Sequence, residues 1–138
     1  YRFPVLLPLR NLEAASVEAE VLVCGGQGVF SQALGSCARI KITDPNSTWT
    51  VETIPMEWVM NDKVMLRNGD VLTIKGAEWG MAGWEKAMEP VIYKINNPFG
   101  SRFVFQSASS IPMMYHSTAI LIREFSWVVA TPREIQFL

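Results

Sequence analysis

The sequence predicts an all-β chain of short antiparallel strands. Three observations predict it. Brief apolar or β-branched runs recur along the whole length, punctuated by Gly, Pro, Asn and Asp. No window long enough for a helix carries a helical apolar period. A hairpin signal, Asn68-Gly69, stands between two such runs.

Taken in order, the first run is Val5-Leu6-Leu7, closed by Pro8. Asn11 to Glu20 follows. Glu13, Ala14, Ala15 and Glu18 favour helix there, but the apolar positions form no stripe, so a loop is expected. Val21-Leu22-Val23 then runs into Cys24-Gly25-Gly26, where glycine suits a sharp turn with close packing. Ala38 to Ile42 and Trp49 to Ile54 flank a turn marked by Asp44-Pro45. Val64-Met65-Leu66 and Val71 to Ile74 flank Asn68-Gly69. Both central residues of a type I′ turn need positive φ, which Asn and Gly tolerate best, so Asp62 to Lys75 is expected to be a hairpin. Val91 to Ile95 and Phe103 to Phe105 are the remaining strands.

Composition narrows the functional classes. The chain has 138 residues, 49% hydrophobic and 18% charged, which suits one domain with substantial burial. Lys+Arg 12 against Asp+Glu 13 leaves a net charge of −1 and no cationic footprint for nucleic acid. The longest uncharged stretch, Phe103 to Ile122, holds Gln106, four serines, Pro112 and His116, so no membrane span is expected. No signal peptide is visible, and a chain that begins with Tyr reads as a processed product or a fragment. Cys24 and Cys37 are too few for a disulfide framework or a tetrahedral zinc site. A single bridge between them stays open, depending on the redox compartment. Asn46-Ser47-Thr48 is a glycosylation sequon on the expected turn and tilts the setting toward the extracellular.

The chain also repeats itself. Val5 to Leu9 answers to Val64 to Asn68 and to Ala119 to Arg123, and Val21 to Gly26 answers to Val71 to Gly76. Cys37 to Ile42 answers to Pro90 to Ile95, and Trp49 to Pro55 answers to Phe103 to Pro112. Leu7 and Leu66 lie 59 positions apart, Leu66 and Leu121 55. A unit of four strands at this spacing is the signature of a propeller blade, and a strand closing in Gly-Gly is its kelch variant. The expectation is a partial kelch-type β-propeller: two blades and the start of a third, over residues 1–122, followed by a divergent tail over 123–138. A blade cannot bury both faces alone, so bare faces leave self-association open.

The segments Ala19 to Gly26, Cys37-Ala38-Arg39-Ile40 with Thr43-Asp44-Pro45, Asn68 to Leu72, Ala82-Gly83-Trp84-Glu85 and Ile111 to Ala119 together resemble the glyoxal oxidase/galactose oxidase family, in its plant glyoxal oxidase-like branch. The resemblance implies a slice of a secreted seven-bladed propeller with one copper held by two tyrosines and two histidines. One of those tyrosines, cross-linked to a cysteine, stores a radical. The implied reaction is oxidation of an aldehyde or primary alcohol, with O2 reduced to hydrogen peroxide. The family's Tyr-His pair matches Tyr115 and His116. Tyr115 would be the axial ligand and the proton acceptor from substrate; His116 would be an equatorial ligand. Imidazole suits copper, and a metal-bound phenol loses its proton more readily. The radical tyrosine, its cysteine and the second histidine match no residue here, so this chain alone is expected to be inactive. Cys24 and Cys37 match the family's structural cysteines, which puts a mutual disulfide ahead of a redox role. The alternative is a non-catalytic kelch-type interaction fragment or gene remnant.

Other features have plainer readings. The seven methionines form no tight motif and read as core filling. Trp79 and Trp84 read as packing between blades. Gly76 to Gly83 lacks the Lys-Ser/Thr of a phosphate loop, and the one histidine leaves no Ser-His-Asp grouping.

Overall fold

The structure, a computed structural model, describes residues 3–26, 28, 33–58, 62–74, 89–108, 118–123, 126–130 and 135–137. They form three antiparallel sheets, each a meander in chain order. The first sheet is β1 (Phe3–Leu6), β2 (Glu20–Cys24), β3 (Leu34–Lys41) and β4 (Thr50–Trp58). The second is β5 (Asp62–Met65), β6 (Val71–Ile74), β7 (Val91–Tyr93) and β8 (Phe103–Phe105). The third is β9 (Thr118–Arg123), β10 (Ser126–Ala130) and β11 (Ile135–Phe137). The all-β partial propeller expected from the sequence is thus the architecture seen. β9 runs one residue past position 122, β10 pairs onto it, and β11 pairs onto β10, so the backbone of 126–130 and 135–137 extends the same sheet.

Period-2 alternation explains why the sheets stack. In β6 every residue is buried, but to different sides. Val71 joins a cluster with Leu7, Leu22, Cys24, Cys37, Ile54, Val91, Tyr93 and Ile95, which seals the first sheet to the second. Leu72 and Ile74 join Val64, with Leu66, Ile92, Ala119 and Leu121 packed on them, which seals the second sheet to the third. Val71 and Leu72 are both 0% exposed. A strand buried on both faces reads as a continuous apolar run, as Val71 to Ile74 does, apart from Thr73. The leading strands follow one another in space: β1 lies against β5, and β5 against β9.

The other face of the first sheet has no neighbour among the described residues. The register sets Leu6, Val21 and Ile40 in one row and Pro4, Val23, Ala38 and Val51 in the next. Leu6 is 50% exposed and Val51 57%.

The Asn68-Gly69 hairpin forms, but its turn is not type I′. Asn11 is the one described non-glycine residue with positive φ, so Asn68 is not left-handed, while Gly69 has φ 87°. Gly69 N–H donates to Leu66 O (2.9 Å) and Leu66 N–H to Asp70 O (2.8 Å). This is a type I turn followed by a left-handed glycine bulge. Two contacts favour it. The Asn68 side chain folds back, accepting from Asp70 N–H at 3.1 Å. A Cβ on Gly69 would stand 2.9 Å from Pro8 Cγ, so glycine lets the turn of one sheet close on the other. Gly25 and Gly26, after β2, also have positive φ (65° and 118°). Asn11 to Glu20 is a loop up to the start of β2, as expected.

Candidate functional site

Alternation gives the inward positions of the first sheet to Leu22, Cys24, Cys37 and Ile54, yet the same face carries Glu20, Arg39 and Glu52. These charges build the polar seam between the first two sheets. Glu52 is 4% exposed. Arg102 forms an ion pair with its Oε1, and Tyr93 OH donates to the same oxygen at 3.4 Å. Gly100 N–H reaches Oε2 at 3.4 Å. Arg102 is itself aimed by Nε donating to Asn97 O at 2.8 Å. The Tyr93 ring packs on Phe103 with centroids 5.4 Å apart.

A second knot lies beside it. Arg39 pairs with Glu20 and donates through Nη1 to Ile95 O at 3.1 Å, which ties β3 to the second sheet. Burial works against the Arg39 charge, but the Glu20 carboxylate and the Tyr93 hydroxyl outweigh it and raise its pKa. A third knot is Asp70, which accepts from Lys94 Nζ (3.0 Å), Ile95 N–H (3.2 Å) and Asn68 Nδ2 (2.9 Å). An open cleft of about 280 Å³ runs along the seam, lined by Glu20, Arg39, Ile40, Lys41, Ser47, Thr48, Thr50 and Arg102. Its three cations are paired with Glu20, Glu18 and Glu52. The cleft therefore offers little net charge to a ligand. On β5, burial pushes the Lys63 ammonium down to about 8, against the pull of Asp62.

Sequence reading did not find this seam. Its signal was present: single charged residues at inward positions of apolar strands, which must find partners when buried. The partners lie well away along the chain, 19 residues for Glu20 and Arg39 and 50 for Glu52 and Arg102, and no local pattern names them.

Cys24 and Cys37 form a disulfide. They are register partners with Cα atoms 4.0 Å apart, and both are buried in the first core cluster. The bridge takes both thiols out of any metal or redox chemistry. No group of three or more His, Cys, Asp or Glu able to hold a metal occurs among the described residues. Tyr115 and His116 lie outside the described residues. What is described is the strand they lead into. β9 starts at Thr118, and Ala119 N–H donates to Asp62 Oδ2 at 3.0 Å. The starts of β9 and β5 therefore lie side by side.

The family described as glyoxal oxidase N-terminus matches residues 3–134. The chain belongs to the glyoxal oxidase family. An aldehyde oxidase of Arabidopsis thaliana, GLOX1, is 40% identical over 134 residues, covering 85% of this chain and 22% of the relative. An aldehyde oxidase of Vitis pseudoreticulata, GLOX, is 40% identical over 131 residues, covering 86% and 25%. This member of the family thus spans about a quarter of the length of those relatives. Among solved structures, a fungal alcohol oxidase of the AA5 family, determined in complex with copper, superposes with a TM-score of 0.65 at 15% identity. It covers 80% of this chain and 24% of that one. That likeness concerns the fold, and it agrees with the stacked four-stranded meanders of this glyoxal oxidase family chain.

Proposed function

We propose that this chain is a piece of a copper-radical oxidase that converts aldehydes or primary alcohols with O2 to oxidised product and hydrogen peroxide, and that the piece alone does not turn over. The observation that carries the reading is the family match over residues 3–134. Residues 1–122 hold the repeat that supports it, with 123–138 as a divergent continuation. Tyr115 and His116 are the residues proposed to hold copper, since phenolate and imidazole suit that metal. The described residues do not fit a copper site by themselves. The bond from Ala119 to Asp62 supports the proposal, because it draws the strand just beyond Tyr115-His116 against the leading strand of the second sheet. An extracellular setting is proposed with it, supported by the disulfide.

Titration of the chain with copper(II), followed calorimetrically, tests the ligand assignment. Stoichiometric uptake lost in His116→Ala and in Tyr115→Phe is expected. A peroxide-coupled assay on methylglyoxal or a primary alcohol with copper present is expected to show no turnover. Turnover abolished by Tyr115→Phe would overturn the claim that the piece is incomplete. The second reading, a non-catalytic interaction module, is favoured by the bare face of the first sheet, where Leu6 and Val51 are exposed. It predicts no specific copper uptake and self-association through that face.

A further inference from the structure

We propose that Asn46 is a site of N-linked glycosylation. The proposal is independent of the copper reading. It rests on the geometry of the turn between β3 and β4 and on the disulfide. Asn46-Ser47-Thr48 is the one Asn-X-Ser/Thr triplet in the chain, and neither the middle position nor the next is proline. The triplet is presented outward. Asn46 and Thr48 are exposed, whereas Ser47 is half-buried because its hydroxyl donates back to Lys41 O at 2.7 Å. The turn is held from the Asn46 backbone, whose N–H donates to Asp44 Oδ1 at 2.9 Å. The Asn46 carboxamide makes no hydrogen bond among the described residues and is free to react. The same loop leaves Ile42 57% exposed and Trp49 53% exposed. A glycan rooted between them would cover both.

Two further observations fit. The Cys24–Cys37 bridge requires an oxidising compartment, which is where the transfer to asparagine takes place. The loop also lies at the end of the sheets where β1 closes into the 7–19 loop, since Ile42 N–H donates to Ala19 O. Strand direction sets the start of β5 at the opposite end, with the start of β9 beside it. A bulky modification at residue 46 therefore leaves that opposite end unobstructed.

The co-reactant is a polyprenyl diphosphate-linked oligosaccharide. Asn46 Nδ2 attacks the anomeric carbon of its first sugar, forming an N-glycosidic bond. The bond from that carbon to the diphosphate oxygen breaks, the polyprenyl diphosphate leaves, and the amide nitrogen gives up one proton.

The test expresses the whole chain behind a cleavable secretion leader in a eukaryotic host and analyses both cellular and secreted pools. The expected product is a heavier species that peptide-N-glycosidase reduces to the bare chain, with residue 46 then reading as Asp. Asn46→Gln and Thr48→Ala are expected to abolish the heavier species, and Thr48→Ser and Ser47→Ala to keep it. Non-reducing peptide mapping identifies chains that carry the Cys24–Cys37 bridge and so have crossed into the oxidising compartment. Bridged chains with Asn46 mostly unmodified would overturn the proposal, and this readout holds whether or not the chain is exported.

Discussion

Arg102→Met is the sharpest probe of the seam between the first two sheets. Glu52 is buried and ion-paired with Arg102, and among the described residues its other polar neighbours are Tyr93 OH and Gly100 N–H, both at 3.4 Å. Removing the guanidinium leaves a buried carboxylate without its counter-charge. Such a loss costs about 3–5 kcal/mol, whereas replacing both partners with apolar groups is often near neutral. The Arg102 side chain keeps 17% exposure, so solvent reaches one partner of the pair and the lower end, about 3 kcal/mol, is the expected cost. The double variant Glu52→Leu/Arg102→Met should recover most of that loss. Equilibrium urea denaturation of the four members of the cycle reads the coupling directly. A loss under about 1 kcal/mol for Arg102→Met would refute the argument, because that is the range of exposed ion pairs. So would a double variant no better than the single one.

Two other perturbations follow from the same packing. Leu72→Ala, at a fully buried position, should cost about 2–5 kcal/mol in the same denaturation experiment, while Met65→Ala on the half-exposed β5 should cost much less. Lys63 gives up its proton near 8 in the folded chain and near 10.5 when unfolded. The unfolded state binds the extra proton between those values, so stability should rise with pH across that window. Denaturation midpoints taken on either side of it should show the rise in the parent chain and not in Lys63→Met.

How far the sequence could be read follows from the range of each interaction. Strands such as Val71 to Ile74 and Phe103 to Phe105 are local patterns, and their observed bounds coincide with the runs that announce them. The Asn68-Gly69 pair announces a hairpin but cannot choose between turn types. That choice falls to Asp70, which is drawn toward Lys94 and Ile95, and to Pro8, which crowds Gly69. Lys94, Ile95 and Pro8 all lie far from the turn in sequence. Spacing alone leaves the disulfide open; register, which sets Cys24 opposite Cys37, brings the two thiols together. Tyr115 and His116 were legible through resemblance to a family, because nothing in their local pattern separates a metal-binding pair from an ordinary aromatic and imidazole.

The alternation along β6 carries a consequence for the architecture as a whole. Residues 71 and 72 are chain neighbours, yet each owes its burial to a different partner sheet, so the middle sheet has no interior until both flanks are in place. An open arc of three sheets has two seams, and its cohesion counts gaps between members and not the members themselves. A ring of four or more such sheets that closes on itself holds one seam more than an open stack of the same members.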